Sequence, residues 1–297
     1  MSRTRYIELC RNRENLPLFA QPWWWDALAP GWDALVLKLP DGQEAALPYW
    51  LHQRMGIRFL RNPHLIPYLS MIGSETISST ISEKMLKALP QAGVVALDFD
   101  PLQAFDLSEK KVRHTRMLAL KRGIEEMFSA LASPLQRQIR KAERLGLRLK
   151  ACDTTEFLRL YHLSFERQGR KPAVPDAAFA AAATVCREHQ CGKIFCMQDP
   201  EGRNLAALFL VYDRDRAYYL SGGSDPDHLQ SGAMSALLWE AIKQSKEQGQ
   251  QQFDFEGSDH PGIDRFFKNF GAAQVAYAHL NRERSLLYKA YRVVRPL

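Results

Sequence analysis

Two carboxylates, Asp254 and Glu256, alternate through the run Phe253-Asp254-Phe255-Glu256, which reads as a strand. Residues two apart on a strand share a face, and Phe255 falls on the other. A carboxylate placed there can take the proton of an attacking amine or orient an acceptor. Lys268, a little downstream, offers a fixed positive charge for a developing oxyanion or a phosphate. Together they would place a proton acceptor and an anion contact in one site. For Asp254, a cap or a pairing with an arginine explains the residue equally well.

A second group precedes it. The strand Arg216–Ser221 runs into Gly222-Gly223-Ser224, and a helix opens at Gln230-Ser231-Gly232-Ala233. Small residues at a helix N-terminus let free N–H groups approach an anion such as the pyrophosphate of a coenzyme. Tight packing of Gly232 and Ala233 on the sheet is the other explanation. A third group is a basic stripe. Arg137, Arg140, Lys141, Arg144 and Arg148 fall on one helical face, and Leu135, Ile139 and Ala142 on the opposite one. Only Glu143 interrupts the positive charge, so polyphosphate, tRNA or an anionic membrane surface would suit this face. Cys186, His189, Cys191 and Cys196 cluster without the spacing of a zinc site, and buried thiols are expected there, with no metal.

The elements that must hold these residues are legible in part. Residues 121–146 read as one helix. A helix through Arg167 begins with Asp153 three before Glu156, the order of a capping box. The alanine-rich 176–189 is helical. Pro40-Asp41-Gly42 and Asp199-Pro200-Glu201-Gly202 mark hairpins. Residues 230–246 show the clearest helical period, closed by Gly249. A short helix covers 262–270 and a terminal one 285–294. Trp23, Trp24 and Trp25 are expected to anchor the first helical segment. Helix, Gly93 and Asp98-Phe99-Asp100 echo helix, Gly249 and Asp254-Phe255-Glu256 at one shared offset. A duplication predicts that Asp98 and Asp254 end equivalent strands behind equivalent helix-closing glycines.

The bulk properties agree with a folded α/β protein. The chain has 297 residues, 46% of them hydrophobic and 25% charged, and a net charge of +7 that favours anionic partners. Five cysteines, an odd number in a chain this long, argue against a secreted disulfide framework. No apolar run is long enough for a transmembrane helix, and a cytoplasmic location is expected. No Gly-x-Ser-x-Gly, Walker or dinucleotide fingerprint is present.

Three blocks carry a family resemblance: Tyr219-Leu220-Ser221-Gly222-Gly223, Asp254-Phe255-Glu256-Gly257-Ser258, and Phe266-Phe267-Lys268-Asn269-Phe270-Gly271. With Arg140-Lys141-Ala142-Glu143-Arg144-Leu145-Gly146 and Arg167 upstream, they resemble the FemABX group of the GNAT acetyltransferase superfamily. The N-terminal Gln21-Pro22-Trp23-Trp24-Trp25-Asp26 resembles GNAT-like relatives. The resemblance implies an α/β fold of two tandem GNAT-like lobes, expected at 1–120 and 121–297, with the chemistry in the second. It implies transfer of an acyl or aminoacyl group, from acyl-CoA or aminoacyl-tRNA, to an amine of a small molecule or a cell-wall precursor. Within such a site Lys268, Asp254 and Glu256 are the candidate catalytic residues. Gln230, Ser231, Gly232, Ala233, Arg137, Arg140, Lys141, Arg144 and Phe267 would hold the donor, and Tyr219, Ser221 and Arg167 the acceptor. Members that use tRNA often carry a long helical arm, and this sequence has no coiled-coil insertion. A GNAT-fold module that binds an anionic ligand or nucleic acid without chemistry is the rival reading.

Overall fold

The computed structural model describes residues 2–73, 79–103, 105, 110–256 and 261–289. It divides into two compact units, residues 1–114 with 276–297 and residues 115–275. In chain order the first unit contributes α1 (Ser2–Arg11), α2 (Pro22–Leu28), β1 (Asp33–Lys38), β2 (Glu44–Tyr49), β3 (Leu51–Arg54), β4 (Ile57–Arg61), α3 (Ser79–Ala88) and β5 (Val94–Asp98). The strand β6 (Lys110–Ala119) runs across the boundary. The second unit holds α4 (Ile124–Ser129), α5 (Ser133–Arg144), β7 (Arg148–Ala151), α6 (Thr154–Glu166) and α7 (Asp176–His189). It continues with β8 (Gly192–Gln198), β9 (Asn204–Tyr212), β10 (Arg216–Ser224), α8 (Ala233–Glu247), β11 (Gln252–Asp254) and α9 (Pro261–Lys268). Most of β12 (Ala273–Glu283) returns to the first unit.

Both units are mixed sheets with helices. In the first, β4 is antiparallel to β3 and parallel to β5, and β5 is antiparallel to β12. In the second, β10 is antiparallel to β9 and parallel to β11, and β11 is antiparallel to the end of β6. Asp98 and Asp254 therefore end strands with the same neighbours, each paired with a strand from the other half of the sequence. This exchange separates the units from the expected lobes: the break falls at 114/115 instead of 120/121, and 276–297 belong to the first unit because β12 completes its sheet. The equivalence of the two glycines does not extend to capping. Gly249 closes α8 with φ +95°, donating to the Lys246 carbonyl. Gly93 lies beyond α3, where a Cβ would come within 3.1 Å of Ser285 and Ile57 side chains, so it serves close packing.

Local chemistry explains most boundaries. The helix expected over 121–146 is two. Pro134 in the first turn of α5 has no N–H to continue an earlier helix, and its fixed φ suits a helix start. Arg148 consequently leaves the basic stripe and sits on β7. Asp153 caps α6, accepting from the Glu156 N–H at 2.8 Å. Both marked turns join antiparallel pairs, β1 with β2 and β8 with β9. The segment Tyr68–Ile72 makes only isolated bridges rather than a full strand. Trp24 and Trp25 are fully buried, their indole N–H groups donating to the Leu65 and Phe19 carbonyls. The terminal helix expected over 285–294 is described as far as residue 289.

The core of the second unit gathers Leu135, Ile139 and Ala142 of α5, most of α8, and the inward residues of β8 and β9. Burying these stripes is what holds the two helices on the sheet. One disulfide, Cys152–Cys196, crosses from the end of β7 to β8 with Cα atoms 5.4 Å apart, in place of the free buried thiol expected at Cys196. The register that pairs Ala151 with Phe195 brings the two cysteines together, which sequence spacing could not show. Cys10, Cys186 and Cys191 are free and buried.

Candidate active site at the ends of β10 and β11

Parallel strands leave a crevice at their carboxyl ends where one stops before the other. β10 and β11 pair only through Arg216–Tyr218 and Gln252–Asp254. β11 then ends, while β10 continues to Ser224 along β9 through an irregularity between Tyr219 and Ser221. Asp254 sits at the divergence, fully buried, its Oδ1 accepting from the Thr115 hydroxyl at 2.6 Å and from the Glu256 N–H at 2.8 Å. The Phe255 N–H donates to the Arg116 carbonyl, the last backbone link to β6 here.

Glu256 does not share a strand face with Asp254 as the alternation predicts. The strand has already ended, and Glu256 holds φ +49°, a left-handed conformation costly for a residue with a side chain. Its Oε1 is shielded from solvent and has no hydrogen-bond partner among the described residues. Burial, and then the neighbouring charge of Asp254, push its carboxyl well above the ordinary carboxylate range. Tyr219 lies close enough for Glu256 to add to the effect of burial in raising its hydroxyl. A strained, shielded carboxyl of raised pKa beside a strand end is the pattern of a proton-transfer group. Gly257 and Ser258, the rest of that sequence block, lie outside the described residues.

Phe267 was expected to contact the donor. It is instead 4% exposed, packed against Phe255 at 4.8 Å and Tyr219 at 5.7 Å between ring centroids. Its ring docks α9 on the core, and the helix then turns the next residue, Lys268, into solvent. A two-pronged ion pair from Arg116 to Asp264, at 2.6 and 2.8 Å, fixes α9 from the side of β6. Ser221 is half-buried on β10, and Arg167 is exposed at the end of α6.

The anion-site residues separate in the same way. Arg137, Arg140, Lys141 and Arg144 are all exposed on the outer face of α5, with no acid partner among the described residues. The Arg140 guanidinium also lies 5.4 Å from the Phe128 ring centroid. Gly232 is buried with φ +78°, and a Cβ there would lie 2.3 Å from the Gln138 carbonyl of α5. Tight packing therefore accounts for this glycine. Just before α8 the Ser231 hydroxyl accepts from the Ala233 N–H at 3.2 Å, and Ser235 donates to Gln138 Oε1 at 2.6 Å. Ala233 is buried and Gln230 is exposed. The 440 Å³ cavity of this unit lies elsewhere, lined by Cys152, Ala183, Cys186 and Lys193 among others.

Residues 130–269 match the family model of an acetyltransferase (GNAT) domain. Over this segment the chain is similar to a GNAT domain. The structure of FemX superposes with a TM-score of 0.65 at 13% identity, covering 99% of this chain and 98% of that one. L-PGS from Bacillus licheniformis gives 0.57 at 14% identity, covering 98% and 96%. A C-terminal domain ascribed to a lysylphosphatidylglycerol synthetase of Agrobacterium fabrum gives 0.54 at 13% identity, covering 99% and 96%. Among curated proteins no sequence matches this chain. At these identities the likeness is one of fold: tandem GNAT-like lobes, each a mixed sheet flanked by helices.

Sequence reasoning missed Thr115 and Arg116, which reach the GNAT domain from a strand outside the conspicuous motifs. The buried Thr115 is one polar residue in a strand run, and only the β6–β11 register reveals its partner.

Gly232→Ala is expected to destabilise the protein by roughly 2–5 kcal/mol, the sum of a left-handed backbone penalty and overpacking against α5. Urea unfolding without any donor checks this; an unchanged midpoint refutes the packing explanation. For Glu256, a folded pKa above the unfolded value makes its effect destabilising as pH rises through the unfolded carboxyl range, near ~4.3, and growing up to the folded pKa. Glu256→Gln should therefore melt higher than wild type at pH ~8 and lose that advantage by pH ~4. A pH-independent difference would remove the buried-carboxyl reading.

Proposed function

We propose that this protein transfers an acyl or aminoacyl group from an activated donor, acyl-CoA or aminoacyl-tRNA, to an amine. The acceptor is a small molecule or a cell-envelope precursor. The observation that carries the reading is Glu256: a shielded carboxyl, unpartnered among the described residues, at the point where β10 and β11 part. The GNAT domain match supports acyl transfer in general. The lysylphosphatidylglycerol synthetase among the structural neighbours adds an aminoacylated product to the range considered.

In this scheme the acceptor nitrogen attacks the donor carbonyl, and Glu256 as carboxylate takes the proton that the nitrogen sheds. The tetrahedral oxyanion collapses, the bond to the thiolate or ribose oxygen breaks, and Glu256 returns the proton to that leaving group. A carboxyl of raised pKa suits both steps better than an ordinary one at neutral pH. Asp254 is a positioning residue, since its Oδ1 holds the Glu256 N–H in the left-handed turn. Lys268, exposed at the end of a docked helix, supplies positive charge to a donor phosphate or the oxyanion. Arg137, Arg140, Lys141 and Arg144 offer a surface for a polyanionic donor, a property shared by coenzyme A and tRNA.

A thermal-shift panel of acyl-CoAs and charged tRNAs identifies the donor; binding at about 100 times its dissociation constant adds about 2.7 kcal/mol. With that donor saturating, Lys268→Ala should keep its melting temperature and lose roughly 10²–10³ in turnover. Glu256→Gln should lose turnover together with the acidic limb of the pH–rate profile. Wild-type turnover in both variants sinks the assignment. Donor binding with salt dependence but no turnover in wild type would favour a binding module instead.

A further inference from the structure

The first unit carries a surface feature that acyl transfer does not use. β3 and β4 are joined by a two-residue turn, Met55-Gly56, with Arg54 paired to Ile57. Both turn residues have positive φ, +51° and +75°, the mirror-type turn in which Asn and Gly are favoured. Met55 has no such advantage, and it is also 75% exposed. Turn chemistry and solvation both disfavour methionine at this tip, and packing within the unit does not compensate.

A second apolar pair lies beside it. Leu286 and Leu287, in the helical segment 286–289, are 79% and 62% exposed. Met55 and Leu287 line one cavity of about 260 Å³, with an aromatic floor in which His52 stacks between Trp50 and Phe59 and Phe59 meets Tyr288 edge-on. Met55, Leu286 and Leu287 are the three most exposed large apolar residues described. Of these, Met55 and Leu287 share the cavity rim.

Arg54 and Arg61 line the same cavity, and no acid among the described residues does. Residues 51–61 contain Arg54, Arg58 and Arg61 and no acid. Residues 282–289 contain Arg282, Arg284 and Lys289 against Glu283. Arg282 and Arg284 line a different cavity, with Leu60 and Val95. Arg54, Arg58, Arg284 and Lys289 are exposed, with no ion pair among the described residues. Arg61 lies over the Phe59 ring and donates to the Tyr288 hydroxyl at 3.2 Å.

We propose that the Met55 turn and Leu287 form a docking surface for an anionic lipid bilayer. These two apolar side chains enter the interfacial region, while Arg54 and Lys289 meet acidic headgroups. An apolar tip flanked by cations complements both layers of such a surface. A protein partner would have to match these separate apolar points and supply acids around them, whereas a bilayer offers both chemistries everywhere. The half-buried Trp50 and Tyr288 are of the types favoured at headgroup level.

The test is co-sedimentation of the full chain with phosphatidylcholine vesicles, with and without about one-third phosphatidylglycerol, at several salt concentrations. The wild type should bind the phosphatidylglycerol vesicles and lose binding as salt rises. Met55→Asp combined with Leu287→Asp, both exposed and therefore compatible with folding, should lower partitioning at least tenfold. Arg54→Gln with Lys289→Gln should lower it about fivefold per charge and leave less salt dependence. Met55→Cys carrying an environment-sensitive fluorophore should shift to the blue on the same vesicles. The proposal is overturned if the wild type fails to bind phosphatidylglycerol vesicles, or if both paired variants bind as wild type does. Self-association in solution that Met55→Asp abolishes, without vesicle binding, would reassign the surface to a second copy of the chain.

Discussion

The three residues of β11 hold β10 by a parallel ladder on one side and the end of β6 by an antiparallel ladder on the other, and both stop at Asp254. A longer β11 would have continued the sheet and left no divergence. The chain instead leaves the sheet through Phe255 and the left-handed Glu256. Phe255 is buried and anchors this departure among Phe253, Phe267 and Phe270. The Glu256 N–H, turned inward by the same conformation, reaches Asp254 Oδ1. Once Phe255 is fixed in the core and Asp254 accepts that N–H, the next side chain has little freedom. Its carboxyl then lies in a shielded space where ionisation is costly.

The α5–α8 pair obeys a different constraint. α5 is strongly amphipathic: Leu135, Ile139 and Ala142 face the core while the cations face out. Helix backbones approach closely where small residues line the contact. Gly232 and Ala233 let α8 begin against the Gln138 carbonyl, and Gln138 also accepts from Ser235. The contact that seats α5 thereby fixes the direction of its cationic face. Packing and charge presentation are two consequences of one helix orientation, so finding a packing role for Gly232 does not remove the stripe from consideration.

Much of this was legible because it is local. The periodicity of α8, the two faces of α5, the Asp153 cap and both marked hairpins depend on residues near each other in sequence, and the structure reproduces them. What escaped depends on distant pairing. Nothing in residues 110–119 announces that the end of β6 completes the sheet beside β11, or that β12 does so beside β5. Thr115, Arg116 and the Cys152–Cys196 bridge are consequences of register, and register is set across the sheet. The errors at the site have a related origin. Strand alternation assigned Glu256 to the face of Asp254 because periodicity does not show where a strand stops. The resemblance pairs Phe267 with Lys268 at the donor, but a helix sends consecutive residues in different directions, and here Phe267 goes to the core and Lys268 to solvent.

That divergence between neighbours bears on how Lys268 is placed. α9 has only eight residues and would be marginal in water by itself. Phe267, inserted between Phe255 and Tyr219, and the ion pair from Arg116 to Asp264 are among the contacts that hold it to the unit. Asp264 and Phe267 stand three residues apart and so share one face of the helix, which both contacts hold against the unit. Phe255 and Tyr219 flank the Glu256 turn, and Arg116 provides the carbonyl that binds the Phe255 N–H. The base that positions Glu256 is therefore also the base that positions Lys268. A shared base keeps two charged groups in register more reliably than two independent loops would, which is what a reaction needing a proton acceptor and an anion contact at fixed separation requires.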